Sequence, residues 1–380
     1  AVDGAGAQAA ANEDAVPAGG PTTGRRTFLR VAALATGVAA LSAASGRWLT
    51  QRAAVALARS QVVLPTPVRS AAAIPDAVDL DVEGLSPFVT PNERFYRIDT
   101  ALVVPRVDVK TWRLGLSGMV DRPQDLTYDQ LVDLGLSEHW TTLACVSNEV
   151  GGGLIGNALW GGVPLRTVLD LAGVQPGATQ IVARSVDGWT AGFPTSAAYD
   201  GREALVAVSM NGEPLPLEHG YPVRLVVPGL YGYVSATKWL GELELTTLEA
   251  FDAYWIPRGW SKFGPVKTQS RIDVPNFGGT VPAGTVAVAG VAWAQGRGIS
   301  AVEVQVDDAG WQPARLAAAL NDDTWRQWVW EWEATPGPHT LQVRATDAEG
   351  MTQTAERRPV MPDGATGYHT VRVNVRAADS

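Results

Sequence analysis

A single cysteine in 380 residues fixes where thiol chemistry can occur. Cys145 ends the strand-like run from Trp140 and is followed by Val146, Ser147, Asn148 and then Gly151-Gly152-Gly153. Glycines let backbone approach a ligand closely. A thiolate there can be a nucleophile or a ligand to a soft metal, while lone cysteines in general are small buried hydrophobes. A second group runs from Glu218-His219-Gly220-Tyr221-Pro222-Val223-Arg224 through Val227-Pro228-Gly229 to Ser235 and Lys238-Trp239. His219, Arg224, Ser235 and Lys238 are donors spread over loops rich in Gly and Pro. Such a set can grip a buried pyrophosphate, with Arg as the fork and Lys as the point charge. Each alone reads as a solvated polar residue; together they point to an anion.

Several chemistries are excluded. Gly151, Gly153 and Gly156 fit G-x-G-x-x-G, with Asp170 near the ribose-acid position, but a dinucleotide site needs a helix opening at the glycines. Residues Asn157 to Pro164, with Gly161-Gly162 and a terminal proline, break helices, so we reject that site. One cysteine rules out a disulfide framework, a cysteine-built zinc site and an iron–sulfur cluster. Covalent c-type haem needs Cys-x-x-Cys-His, which the sequence lacks. Histidines at 139, 219, 339 and 369 show no paired ligand spacing. With 30 Lys and Arg against 39 Asp and Glu, the net charge of −9 argues against a nucleic-acid partner.

The elements that position these residues fall into two textures. Trp112 to Gly118 alternates like a strand and Asp121-Arg122-Pro123 supplies a turn. Thr127 to Gln130 has capping-box spacing, which predicts a short helix through Leu134 that stops at Gly135. Residues 140–250 mix short strands, glycine loops and a few helices. Beyond Thr280, alternation at Val302–Val306, Leu341–Arg344 and Val371–Val375, with turns such as Asp307-Asp308-Ala309-Gly310, predicts an antiparallel sandwich. The junction is expected at Arg271 to Gly279. Trp325, Trp328, Trp330 and Trp332 exceed one strand face by parity. One set is expected in the sandwich core, leaving aromatic surface for a partner subunit, unless a bulge turns all four inward.

The first 24 residues read as a disordered lead-in. Residues 25–60 open with Arg25-Arg26-Thr27-Phe28-Leu29-Arg30 and an uncharged run from Val31 to Gly46. This is similar to a twin-arginine export signal; the alternative is a membrane anchor, although the run falls short of the roughly 20 residues a span needs. The chain begins without methionine, and we expect a fragment or a processed product.

With these segments together, the chain resembles the sulfite oxidase family of molybdenum enzymes from about Leu85 to Val375. The matching features are Thr90-Pro91-Asn92-Glu93-Arg94-Phe95-Tyr96-Arg97, Cys145 with Asn148, and Trp160-Gly161-Gly162-Val163-Pro164-Leu165. His219 to Arg224 with Val227-Pro228-Gly229 and Lys238-Trp239, and Gly296-Arg297-Gly298-Ile299 before the Val302 strand, complete the set. The resemblance implies an α+β fold. A mixed α/β molybdopterin-binding catalytic domain (61–270) would precede an all-β immunoglobulin-like dimerisation domain (271–380). It implies molybdenum–molybdopterin as cofactor, Cys145 as the metal ligand, and cofactor contacts from Asn92, Tyr96, Arg97, Cys145, Ser185, His219, Arg224, Ser235 and Lys238. The expected reaction is two-electron oxygen-atom transfer on a small substrate. No haem domain or flavin motif is apparent, so electrons would pass to or from a separate cytochrome or quinone-linked carrier. A homodimer and a location in the cell envelope are further expectations.

Two departures bear on the substrate. Sulfite-oxidising members carry an arginine five residues after the cysteine, where this chain has Val150 beside Glu149. Trp260 falls nearest the position of their tyrosine, so Trp260 and Arg258 join Cys145 as expected catalytic residues, with Arg258 or Lys262 as a replacement cation. Sulfite is therefore not the expected substrate. Reduction of a sulfoxide of the methionine sulfoxide type is the alternative within the family. Outside it stand a Cys145-dependent hydrolase with His219 as base and an exported binding protein with Cys145 merely buried.

Overall fold

The Thr127 hydroxyl accepts the Gln130 N–H at 3.1 Å, and the Gln130 side chain accepts the Thr127 N–H at 2.9 Å. This reciprocal cap opens the helix Tyr128–Val132, which ends two residues short of the expected Leu134; Gly135 follows at φ +94°. The computed structural model describes residues 55–377 and a few isolated positions between 24 and 42. Arg25, Arg26 and nearly all of the lead-in lie outside the described residues. Among those described, no helix is long and apolar enough to cross a membrane.

Two five-stranded sheets build the first part of the fold. One has the order Gln124–Thr127, Arg113–Gly118, Leu240–Thr246, Gln180–Ser185, Thr190–Pro194, with only the Arg113–Gly118 and Leu240–Thr246 pair parallel. The other runs Ser137–Ala144, Ile155–Pro164, Leu205–Met210, Glu213–Pro214, with Arg224–Val226 also pairing to Leu205–Met210. The glycine decoy is settled here, because Gly156 and Asn157 to Pro164 form a strand and not a helix. Leu205–Met210 is buried at every position, as expected of a strand covered on both faces. Leu114 and Leu116 of the first sheet meet Val206, Val208 and Leu225 of the second, and the helix Leu165–Ala172 adds Leu165, Val168 and Leu169 to the same core.

The second part is the expected sandwich. Gln269–Val274, Gly284–Trp293, Arg326–Ala334 and Arg315–Leu316 form one sheet; Thr280–Pro282, His369–Arg376, Gly337–Asp347, Ile299–Val306 and Gln312–Pro313 form the other. The fold class is thus α+β, mostly sheet. Gln269–Val274, at the stretch read as the junction, is already a sandwich strand.

The tryptophan run corrects one expectation. Trp328, Trp330 and Trp332 all turn to the sandwich core, and the pairing of Arg326–Ala334 with Gly284–Trp293 carries no register shift. Trp325 precedes the strand and packs beside Phe88 of the first part, its Nε1–H donating to the Phe88 carbonyl at 2.9 Å. No bulge is needed: Trp330 is half-buried against the same core, and the odd-parity ring serves the contact between the two parts.

Candidate active site

Several elements deliver their last or first residue to one cleft. Cys145 follows the strand Ser137–Ala144, Ser185 ends Gln180–Ser185, His219 ends the turn Leu217–His219, and Arg224 opens Arg224–Val226. Lys238 precedes Leu240–Thr246 and is turned inward by Trp239, which sits at φ +50°. A bulky residue in this left-handed region is strained. Trp239 is held there by burial and by an Nε1–H bond to the Leu217 carbonyl at 2.8 Å. Gly220 lets the turns meet, since a Cβ on it would lie 3.0 Å from the Lys238 backbone. Tyr96, Cys145, Ser185, His219, Arg224, Lys238 and Trp260 all line this cleft.

The charges are unusual for a buried place. Arg224 is 5% exposed, and its guanidinium lies over the Trp160 ring at 4.9 Å. It donates only to the carbonyls of His219 at 3.1 Å and Leu225 at 3.3 Å. No carboxylate of the described residues pairs with it, and burial lowers its pKa to about 10. Lys238 Nζ donates to Asp99 Oδ2 at 2.6 Å and to the Glu218 carbonyl at 3.2 Å. Burial, opposed by Asp99 and aided by Arg224 and Arg97, brings its pKa to about 8. Burial and the neighbouring Arg224 hold His219 at about 4, so it is neutral. Its Nε2 faces the Asn92 carbonyl at 3.0 Å and must carry the proton there. Burial raises the Cys145 thiol, against hydrogen bonds to its sulfur from the backbone and side chain of Ser147. Burial and the nearby thiol hold the Tyr96 hydroxyl firmly protonated.

Other expected residues stand elsewhere. Arg97 does not line the cleft: its Nε donates to Asp99 Oδ2 at 2.8 Å, and the side chain is 43% exposed. Asn92 supports the site indirectly, its carbonyl receiving His219 and its side-chain oxygen accepting from Asn211 at 2.8 Å. Ser235 is fully buried and donates to the Tyr231 carbonyl at 3.1 Å, satisfying its own helix instead of facing a ligand. Arg258 stacks over the Tyr254 ring at 3.7 Å and donates to the carbonyl of the same residue. Lys262 pairs with Asp252 at 2.7 Å. Neither cation reaches the cleft. The sequence reading missed Asp99, which binds both Arg97 and Lys238, and Tyr233 and Trp255, which line the cleft with Trp260. The acid two residues after Arg97 was the available signal for Asp99.

Comparison with known proteins adds a family to this geometry. Residues 101–255 match the model of the oxidoreductase molybdopterin-binding domain. The mitochondrial sulfite oxidase of Homo sapiens is 32% identical, in a match that covers 67% of this chain and 55% of that protein. The chain belongs to the sulfite oxidase family of molybdopterin oxidoreductases. Sulfite oxidase of Gallus gallus is 31% identical over 65% of this chain and 63% of its own. An NADH nitrate reductase of Solanum lycopersicum is 31% identical over 44% of this chain and 21% of its own. The chain thus spans about half the length of the mammalian relatives it matches. The crystal structure of the sulfane dehydrogenase SoxCD from Paracoccus pantotrophus shares the fold, with a TM-score of 0.66 at 23% identity, covering 77% of this chain and 85% of that one.

The cofactor of this family is molybdenum–molybdopterin, and the donor set fits it. A buried guanidinium without a carboxylate, beside a lysine and two hydrogen-bonding side chains, suits a phosphate-bearing group. A lone thiol lining the same cleft suits a metal with a taste for sulfur. No group of three or more His, Cys, Asp or Glu that could hold a metal occurs among the described residues, and Cys145 is the one cysteine of the sequence.

Proposed function

We propose that this protein is an oxidoreductase that moves an oxygen atom, in a two-electron step, to or from a small uncharged substrate. A separate cytochrome or quinone-linked carrier would exchange the electrons. The observation that carries the reading is Arg224, buried and unpaired by any carboxylate of the described residues, on the cleft that also holds the only cysteine. When bound, the cofactor supplies dithiolene sulfurs and a metal that cycles between oxidation states two electrons apart. Cys145 would be its protein ligand, with the two Ser147 hydrogen bonds tempering the charge on sulfur. Arg224, Lys238, the neutral His219 and Ser185 would hold the phosphate end. Tyr96 keeps its proton and can donate a hydrogen bond into the cleft. Against a hydrolase, burial raises the Cys145 thiol, and among the described residues no hydrogen bond joins it to His219, whose Nε2–H is given to the Asn92 carbonyl.

The uncharged character of the substrate rests on the cleft walls. The cations lining the cleft are Arg224 and Lys238, both assigned to phosphate. Val150 stands where sulfite-oxidising members carry arginine, and Arg258 and Lys262 are turned away. Tyr233, Trp255 and Trp260 instead form an aromatic wall, with Tyr233 and Trp260 centroids 5.8 Å apart. A sulfoxide of the methionine sulfoxide type is the second reading, favoured by this wall because such a substrate is uncharged and the thioether it yields packs well against ring edges. Export to the cell envelope belongs to the same proposal, supported by Arg25-Arg26. Turnover assays with artificial electron carriers test the substrate clause. A neutral sulfoxide or thioether should exceed sulfite in kcat/KM by about ten- to hundredfold, the worth of one missing charge-assisted bond. Sulfite turned over as well as the neutral compounds would overturn it.

A further inference from the structure

The hairpin that carries Cys145 is gripped from outside its own part of the fold. Ser137–Ala144 and Ile155–Pro164 pair from Ser137 opposite Gly162 to Ala144 opposite Ile155. Between them, the Cys145 N–H donates to the Leu154 carbonyl at 3.0 Å and the Leu154 N–H to Asn148 Oδ1 at 2.8 Å. The tip of this hairpin rests on the sandwich. Gly151, at φ +79°, lies flat against the His369 imidazole; a Cβ there would fall 2.1 Å from the ring. The Gly152 carbonyl accepts from Arg271 Nη1 at 2.8 Å. Neither sandwich residue is free to wander. Arg271 is held by Asp273 at 2.6 Å and the Ser86 hydroxyl at 2.9 Å, and His369 Nδ1 accepts the Ile272 N–H at 2.9 Å. The strand leading to Cys145 is fixed from the same side. Thr142 N–H donates to the Asp323 carbonyl at 2.9 Å, and Gln295 Nε2 donates to the Thr142 carbonyl at 3.0 Å.

We propose that the sandwich is a template for the Cys145 hairpin, with His369 and Arg271 as positioning residues that set where the sulfur stands. A packed ring is nearly incompressible, so His369 acts as a stop for Gly151. Arg271 draws the adjacent carbonyl the same way. Partners that orient a metal ligand tune the metal without touching it. The inference rests on the cofactor reading only for its spectroscopic readout; the mechanical claim stands on the contacts.

The test compares the holoprotein, made in a cofactor-competent host, with His369→Ala, Arg271→Met and Val304→Ala. Val304 is fully buried in the sandwich core and serves as a control for general loss of stability. His369→Ala and Arg271→Met should keep molybdenum and pterin but shift the thiolate-to-metal absorption and the paramagnetic resonance of the half-reduced metal. They should also speed hydrogen exchange at the Cys145 and Leu154 amides by about tenfold. Val304→Ala should lower the melting temperature and change neither signal. Identical spectra and exchange in all four proteins would overturn the proposal, as would equal changes in Val304→Ala. If the unmodified protein holds no molybdenum, the cofactor reading fails instead, and the exchange rates alone decide the template. Should His369→Ala not fold, Arg271→Met carries the same comparison.

Discussion

Replacing Arg224 by Met separates what the guanidinium does for the fold from what it does for an anion. The methionine keeps an apolar body against Trp160 and removes the charge. Burial takes the Arg224 pKa from an ordinary 12.5 to about 10, which at ~1.4 kcal/mol per tenfold change in proton affinity is roughly 3 kcal/mol against the charged form. The sign follows from the depression. The folded state carries this cost in full below pH 10, and it is relieved only as pH rises through that value. Losing two bonds from a charged donor to carbonyl oxygens, at about 1.5–3 kcal/mol each, offsets the gain or exceeds it. The cofactor-free variant should therefore be as stable as the unmodified chain or weaker by no more than about 3 kcal/mol, read as a thermal melt. Loading should move the other way. Deleting one member of a buried ion pair costs about 3–5 kcal/mol, so cofactor retention should fall by more than about hundredfold, measured as molybdenum and pterin in purified protein. Normal loading would refute the role, and a large drop in the melting temperature would show that Arg224 serves the fold.

Lys238 should give pyrophosphate binding to the cofactor-free protein a pH step. Its pKa of about 8 means the cation is present below that pH, so calorimetric affinity should decline as pH rises through 8, and Lys238→Met should abolish the step. Trp325→Ala should destabilise the protein by about 3–5 kcal/mol in denaturant unfolding, since a buried ring and its bond to Phe88 are lost together. Changing Arg25 and Arg26 to Lys keeps the charge but removes the guanidinium pair; cell fractionation should then find folded, molybdenum-loaded protein retained in the cytoplasm.

How much of this was legible in the sequence depends on the range of the interaction. The sandwich strands alternate with period two, and the Tyr128–Val132 helix announces itself through a cap four residues long, so both could be read locally. Cys145, His219, Arg224 and Lys238 were legible as chemistry because few alternatives exist for a lone thiol and a clustered donor set. Asp99 was not, because its partner Lys238 lies 139 positions away. Arg97 is different: the acid that binds it stands only two residues on, and that local pair could have been read. Trp325 defeated a parity argument that treated the sandwich as isolated, when its ring belongs to the seam with Phe88. The grip of His369 and Arg271 on Gly151 and Gly152 joins segments more than a hundred residues apart and leaves no periodic trace.

The central claim is that Cys145 ligates the molybdenum of a bound molybdopterin. The direct measurement is sulfur-sensitive X-ray absorption at the molybdenum edge, on unmodified protein and on Cys145→Ser, each purified from a cofactor-competent host. The account predicts one molybdenum and one pterin per chain, with one sulfur scatterer fewer in the variant and oxygen in its place. Equal sulfur counts in the two proteins, or no molybdenum in the unmodified one, would contradict it.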